Sequence, residues 1–257
     1  IFLYYGKNSQ KKIDFIEQIF LIIVVYLLTA LLITIPFYFS NNQVTFLNSF
    51  FESISGLTGT GFSTIKNIKY VDPTLILWRS SSQWIGGLYF LFFLNFIFLN
   101  KKFNYKMTSL TYSGNSNHSS EENIKNNILK IFIYYCILSF IVFSLFSMSD
   151  IRLFNSLNIS MTLISGGGFL PTDSLSNIIS TNFQKIIFII SLLLAMFNFY
   201  LVFNIFDKKI IRREHKEDLY LLFLTLILIA LIYFNKNNGL DLIISTISSL
   251  SNSGLTL

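Results

Sequence analysis

Charge is scarce in this chain. Only 12% of its 257 residues are Asp, Glu, Lys or Arg, well below the quarter or so usual for soluble domains. Hydrophobic types make up 53%, and mean hydropathy is +0.59. Such a composition describes an integral membrane protein, not a soluble enzyme or binding domain. Cysteine occurs once, at Cys136 within an apolar run; no intrachain disulfide is available, and a small buried apolar role is its simplest reading. The two histidines, His118 and His215, have no partners at ligand spacing and read as solvated surface, which speaks against a metal site. Nucleophile and base pairings, zinc spacings and phosphate-cradling glycine loops are also missing, so enzyme chemistry has no foothold. The excess of 19 basic over 13 acidic residues forms no basic face on a soluble domain, and a nucleic-acid partner is not expected.

Long apolar runs dominate what remains. A bilayer crossing takes about 20 apolar residues, and five stretches qualify: Phe15 to Phe39, Leu75 to Leu99, Ile128 to Phe146, Phe183 to Phe206 and Leu219 to Phe234. Basic residues collect at Lys7, Lys11 and Lys12, at Lys101, Lys102, Lys106 and Lys125, and from Lys208 to Lys216. By the positive-inside rule these three segments are cytoplasmic. The other connections, Ser40 to Thr74, Ser149 to Asn182 and Asn235 onward, then lie outside.

All three outer connections carry one pattern. "NSFFESISGLTGTGF" (Asn48 to Phe62) aligns without gaps with "NSLNISMTLISGGGF" (Asn155 to Phe169), and more loosely with "DLIISTISSLSNSGL" (Asp241 to Leu255). Gly61, Gly168 and Gly254 coincide, as do Thr58, Ser165 and Ser251. The unit is a repeat: span, outer segment ending in Ser or Thr plus Gly, span, basic inner segment. Each glycine follows an amphipathic stretch of roughly three turns, too short to cross the bilayer, which predicts a half-helix that dips in and returns. Non-helical backbone at that depth must be buried in protein or line a watery cavity, and several loops converging on one axis meet this condition. A dehydrated cation needs oxygens in place of its water, and backbone carbonyls supply them where glycine lets successive peptides turn inward. The hydroxyls of Thr58, Thr60 and Ser165 add ligands or brace the loop. The negative dipole end of each half-helix also points at the ion.

"FFESISGLTGTGF" followed by "LILWRSSSQWIGG" (Leu75 to Gly87) resembles the second pore repeat of the Trk/Ktr/HKT superfamily of potassium transporters, in their pore-forming, TrkH-like subunit. There an FE-x-x-SG-x-T-T-TG filter segment precedes a WRS-x-x-QW-x-GG helix start. "ISGGGF" resembles the third filter and "SLSNSGL" the fourth. The resemblance implies an all-α integral membrane protein of helix, re-entrant pore loop, helix units around a pseudo-fourfold, potassium-channel-like pore. Residues 1–12 then hold the tail of the first repeat and a cytoplasmic linker, 13–106 the second repeat, and 107–127 a linker. Residues 128–207 form the third repeat, 208–217 a basic linker, and 218–257 an incomplete fourth repeat. The chain is read as a piece of a longer protein. The implied filter comprises Thr58, Gly59, Thr60 and Gly61; Ser165, Gly166, Gly167 and Gly168; and Ser251, Asn252, Ser253 and Gly254.

Glycine stands at positions 59, 166 and 167, where the resembled filters commonly have Thr, so a looser loop is expected unless neighbours brace it. The Gly- and Ser-rich interruption that bacterial members carry below the third filter is absent from Ser191 to Phe206, which has no glycine; Asn198, the bulky Phe197 and Phe199, or gating by other means are the alternatives. Glu52 and Arg79 are expensive facing lipid. They read as a pair bracing the pore loop, with a direct role in the ion path or snorkelling of Arg79 to the interface as alternatives. Asp241 suits an N-terminal cap or an external cation attractor, Trp78 and Trp84 suit an interfacial belt or the pore, and Pro36 a kink in the first span.

The expected activity is passive potassium uptake across the cytoplasmic (inner) membrane by a multi-pass pore subunit with no covalently bound cofactor. Beyond the bilayer, the resemblance implies a homodimer and a cytoplasmic nucleotide-binding regulatory subunit of the TrkA/KtrA kind. A sodium or poorly selective monovalent cation transporter and a non-conducting membrane scaffold are the rival readings.

Overall fold

The computed structural model describes residues 15–40, 45–98, 121–196, 216–233, 239–251 and 253–256. Among them every regular element is helical, and the order is long helix, short helix, long helix, repeated along the chain. Helix α1 (Phe15–Tyr38), half-helix α2 (Phe46–Thr58) and α3 (Pro73–Phe98) come first. Helix α4 (Glu121–Ser147), half-helix α5 (Leu153–Ile164) and α6 (Asn182–Met196) follow, then α7 (Lys216–Tyr233) and half-helix α8 (Gly239–Leu250).

The long helices form where the apolar runs predict them. Ile16–Tyr38 and Ile128–Ser147 reach mean hydropathies of 2.8 and 2.3, enough in length and composition to cross a bilayer unaided. Helix α3 is as long but carries Arg79, Ser80, Ser81, Ser82 and Gln83 in its first half. Its polar turn can exist at depth only if protein covers it, and Arg79, Ser80, Ser82 and Gln83 are all buried. By contrast Ile16, Phe20, Leu28 and Leu32 of α1 and Leu219 and Phe223 of α7 are more than half exposed, the sign of a lipid-facing surface. Pro36 does not end α1, which runs two residues past it.

The half-helices end by local chemistry. Thr45 opens α2, its hydroxyl accepting from the Asn48 N–H, and Gly59 closes it in the left-handed region at φ +69. Gly166, also at φ +69, turns the chain just beyond α5. Both are the left-handed helix ends that glycine adopts without steric penalty.

Packing repeats as well. Helix α3 packs on the half-helix of its own unit, α2, and on that of the next, α5. Helix α6 likewise packs on α5 and on the following half-helix, α8. Lipid offers little hydrophobic drive between helices, so close approach of small residues has to substitute. A β-carbon at Gly86 would overlap the Leu57 carbonyl, one at Gly56 the Ser82 hydroxyl, and one at Gly87 would come within 3.0 Å of Ser165. The GG of the WRS-x-x-QW-x-GG stretch thus lets α3 lie against two half-helix ends at once. The tryptophans of that stretch tie α3 sideways: Trp78 Nε1 donates to the Ile33 carbonyl of α1 at 3.1 Å, and Trp84 Nε1 to Ser139 Oγ of α4 at 2.9 Å.

Candidate ion filter

Three short return segments, 59–64, 166–169 and, of the fourth unit, residues 251 and 253–255, follow the half-helices and touch one another at two levels. At the lower level a β-carbon on Gly59 would lie 3.6 Å from the Ser165 carbonyl oxygen, and one on Gly166 4.0 Å from that of Ser251. At the upper level a β-carbon on Gly61 would lie 3.0 Å from the Gly168 backbone, and one on Gly168 2.9 Å from the Ser253 carbonyl oxygen. Each loop therefore abuts the next through bare backbone. Gly61 and Gly254 add left-handed φ values of +74 and +63, which turn peptides that an ordinary side chain would hold otherwise.

The hydroxyls brace these segments. Thr58 Oγ1 donates to the Ile54 carbonyl at 2.8 Å and lies 3.1 Å from Thr60 Oγ1, which is 3.2 Å from Ser55 Oγ; Ser55 in turn donates to the Phe62 carbonyl at 2.6 Å. Ser165 Oγ bonds back to Met161 and Thr162. In the last loop, Ser253 Oγ lies 3.0 Å from both Ser248 Oγ and Ser251 Oγ. Gly59, Gly166 and Gly167 do not leave their loops unsupported. Gly59 and Gly166 bond through their N–H groups to Gly56 and Leu163, and Gly167 to Thr162. A β-carbon on Gly167 would overlap the Gln83 amide, so the side chain that would occupy the space comes from α3 instead.

Glu52 and Arg79 meet behind the second loop, 0% and 2% exposed. Arg79 Nε is 3.4 Å from Glu52 Oε2, and Arg79 Nη2 donates to Ser63 Oγ at 3.0 Å. Glu52 Oε1 accepts from Ser63 Oγ at 2.8 Å, the Thr64 N–H at 2.5 Å and Thr64 Oγ1 at 3.1 Å. The arrangement is that of a brace on the segment leaving the loop.

A cavity of about 620 Å³ opens at the inner ends of the half-helices, with Thr58, Gly59, Ser165, Gly166 and Ser251 in its lining. Tyr26, Gly86, Gly87 and Tyr89 line it further in. The carbonyl-rich helix ends that face this vestibule favour a cation over an anion.

The pattern of TrkH, a cation transport protein family, matches residues 3–237. The chain belongs to that family. An uncharacterized cation transporter of Methanocaldococcus jannaschii is 27% identical over 150 residues, 56% of this chain and 30% of the relative. The Trk system potassium uptake protein TrkH of Escherichia coli K12 is 38% identical over 55 residues, 21% of this chain and 11% of its own. The crystal structure of the potassium transporter TrkH from Vibrio parahaemolyticus superposes with a TM-score of 0.72 at 18% identity, covering 97% of this chain and 53% of that one. The chain thus spans about half of the solved structure and less of the sequence relatives. The pore-loop membrane fold expected from the resemblance is the fold of this TrkH-family chain, and it is a transporter-family protein, not an enzyme.

Of the residues singled out in the sequence, Asn252 and the gate candidates Phe197, Asn198 and Phe199 lie outside the described residues, as do His118 and His215. Asp241 sits in the first turn of α8, and its carboxylate is 2.5 Å from Lys185 Nζ of α6, an outer tie between neighbouring units. Lys185, Gln83 and Phe169 are the residues that sequence reasoning left without a role. Gln83 lay inside the quoted motif and Phe169 at the end of the aligned repeat, but their partners are remote in sequence.

Proposed function

We propose that this TrkH-family chain is part of the pore-forming subunit of a potassium uptake system, and that potassium crosses between loop carbonyls at residues 58–61, 165–168 and 251–254. The observation that carries this reading is the two-level contact of the loops, Gly59 through Ser165 and Gly166 to Ser251, and Gly61 through Gly168 to Ser253. Closely stacked backbone with no side chains between leaves the carbonyl oxygens as the groups able to replace a hydration shell. The inner half-helix ends add negative potential at the vestibule. Potassium is favoured over sodium as the cargo because the extra glycines sit at capped or pinned positions, so the loops keep a defined spacing. The resemblance supports two partners, a second copy of the complete subunit and a nucleotide-binding regulatory subunit on the cytoplasmic side, with the cytoplasmic membrane as the site of action.

The test is uptake of radioactive rubidium into a potassium-uptake-deficient bacterium expressing the complete parent protein with its partner. Expected are uptake blocked by potassium and spared by sodium, and loss of uptake in Gly61→Val, since the added side chain would strike Gly168. Equal sensitivity to sodium would replace potassium by a less selective monovalent cation pathway. A membrane-inserted parent that moves no rubidium would favour a scaffold.

A further inference from the structure

The Arg79 guanidinium has two different kinds of neighbour. Its edge bonds to Glu52 and Ser63, both of the second repeat, while its face lies 4.2 Å from the centroid of the Phe169 ring. Phe169 directly follows Gly168 in the third loop and is 2% exposed. One turn along α3, Gln83 Oε1 accepts the Phe169 N–H at 3.3 Å, and the Gln83 amide fills the space beside Gly167. Two side chains of one helix thus hold one residue of the neighbouring loop, from its ring and from its backbone.

We infer that Arg79 is a positioning residue for two adjacent filter loops, and that its stacking on Phe169 sets how the filter discriminates between cations. This rests on the filter reading given above. A planar guanidinium can bond at its edge and stack on its face at the same time, which an ammonium cannot. A desolvated cation over an aromatic face is worth a tenfold effect or more in an equilibrium. Because Ser63 and Phe169 are held by the same rigid group, a shift of the second loop is transmitted to the third. The spacing of their carbonyls is a joint property.

The experiment uses the complete parent protein with its partner and compares wild type, Phe169→Leu, Arg79→Lys and the double variant. Two readouts are taken: the ratio of sodium to potassium concentrations that halve rubidium uptake, and thermal unfolding of the purified protein. Phe169→Leu keeps an apolar side chain and removes the π-face; Arg79→Lys keeps charge and removes the plane. Each is expected to lower the sodium-to-potassium ratio by about fivefold or more, and the double variant no further than the worse single one, the non-additivity of a direct contact. Phe188→Leu, a 0% exposed ring in the third-repeat core without contact to Arg79, serves as the control and should lower stability while leaving the ratio unchanged. An unchanged ratio in a transporting Phe169→Leu protein, or the same change in Phe188→Leu, overturns the inference. Additive unfolding effects of the two single changes also overturn it. A wild type that moves no rubidium refutes the transport reading instead, and the unfolding cycle alone then decides whether Arg79 and Phe169 are coupled.

Discussion

The second and third loops both turn through a left-handed glycine, Gly59 and Gly166, but are held by different means. The second carries its own support: Glu52 from its half-helix, Arg79 from its following helix, and a hydroxyl chain through Thr58, Thr60 and Ser55. The third has three consecutive glycines and, where Glu52 stands in the aligned repeat, Ile159, a 0% exposed apolar residue. Its support comes from the second repeat, through Gln83 and Arg79, and from the buried Ile159 and Leu163 of its own half-helix. Duplicated segments need not keep duplicated braces. A loop can give up its own polar support when a neighbour supplies it, and the polar side chains that hold the third loop come from the second repeat.

Removing a member of the buried pair should break this comparison most severely. Arg79→Met leaves the Glu52 carboxylate buried without its cation, a loss of about 3–5 kcal/mol. The expected outcome is a parent protein that fails to accumulate in the membrane or unfolds far below wild type, with both loops affected. Full accumulation with unchanged unfolding would show that the second loop does not depend on the pair. Next comes Gly86→Val, which pushes α3 away from the Leu57 backbone. Overpacking of this kind costs about 1–3 kcal/mol, and the loss should appear in thermal unfolding of detergent-solubilised protein, larger than that of Val at any lipid-facing position of α3.

Gln83→Leu separates the two loops. It leaves the buried Phe169 N–H without an acceptor, a loss of about 1–3 kcal/mol. Hydrogen exchange should quicken around residues 166–169 while residues 59–64 stay as protected as in wild type. Equal acceleration of both would mean that the second loop leans on the third as well. The smallest effect belongs to Lys185→Met. Its pair with Asp241 is partly exposed, at 19% and 40% for the two side chains, and such pairs contribute about 0–1 kcal/mol. A small fall in stability that vanishes in high salt is expected, and a loss as large as that of Arg79→Met would overturn the view of this tie as peripheral.

The repeat, its half-helices and the register of Gly61, Gly168 and Gly254 were legible in the sequence because periodicity and self-similarity are local signals. Glu52 and Arg79 were legible for a different reason: two charges within apolar segments need each other. The binding partners of Gln83 and Lys185 were not. Gln83 and Phe169 are 86 positions apart, and Lys185 and Asp241 are 56 apart, with no pattern linking them. The extra glycines left open in the sequence whether neighbours brace the loops, because the bracing groups are set by tertiary packing. A glycine is permissive only until its surroundings are known, and at Gly59 and Gly166 it closes a helix while at Gly167 it admits the Gln83 amide.

The packing of α3 on α5 and of α6 on α8 also bears on how the protein is made. Chains emerge from their N-termini, and membrane segments are handed to the bilayer in that order. Helix α3 is complete before the third loop is synthesised, and α6 before the fourth. Each newborn glycine-rich loop thus meets a seat already prepared by the preceding unit, and the order of synthesis matches the order of support.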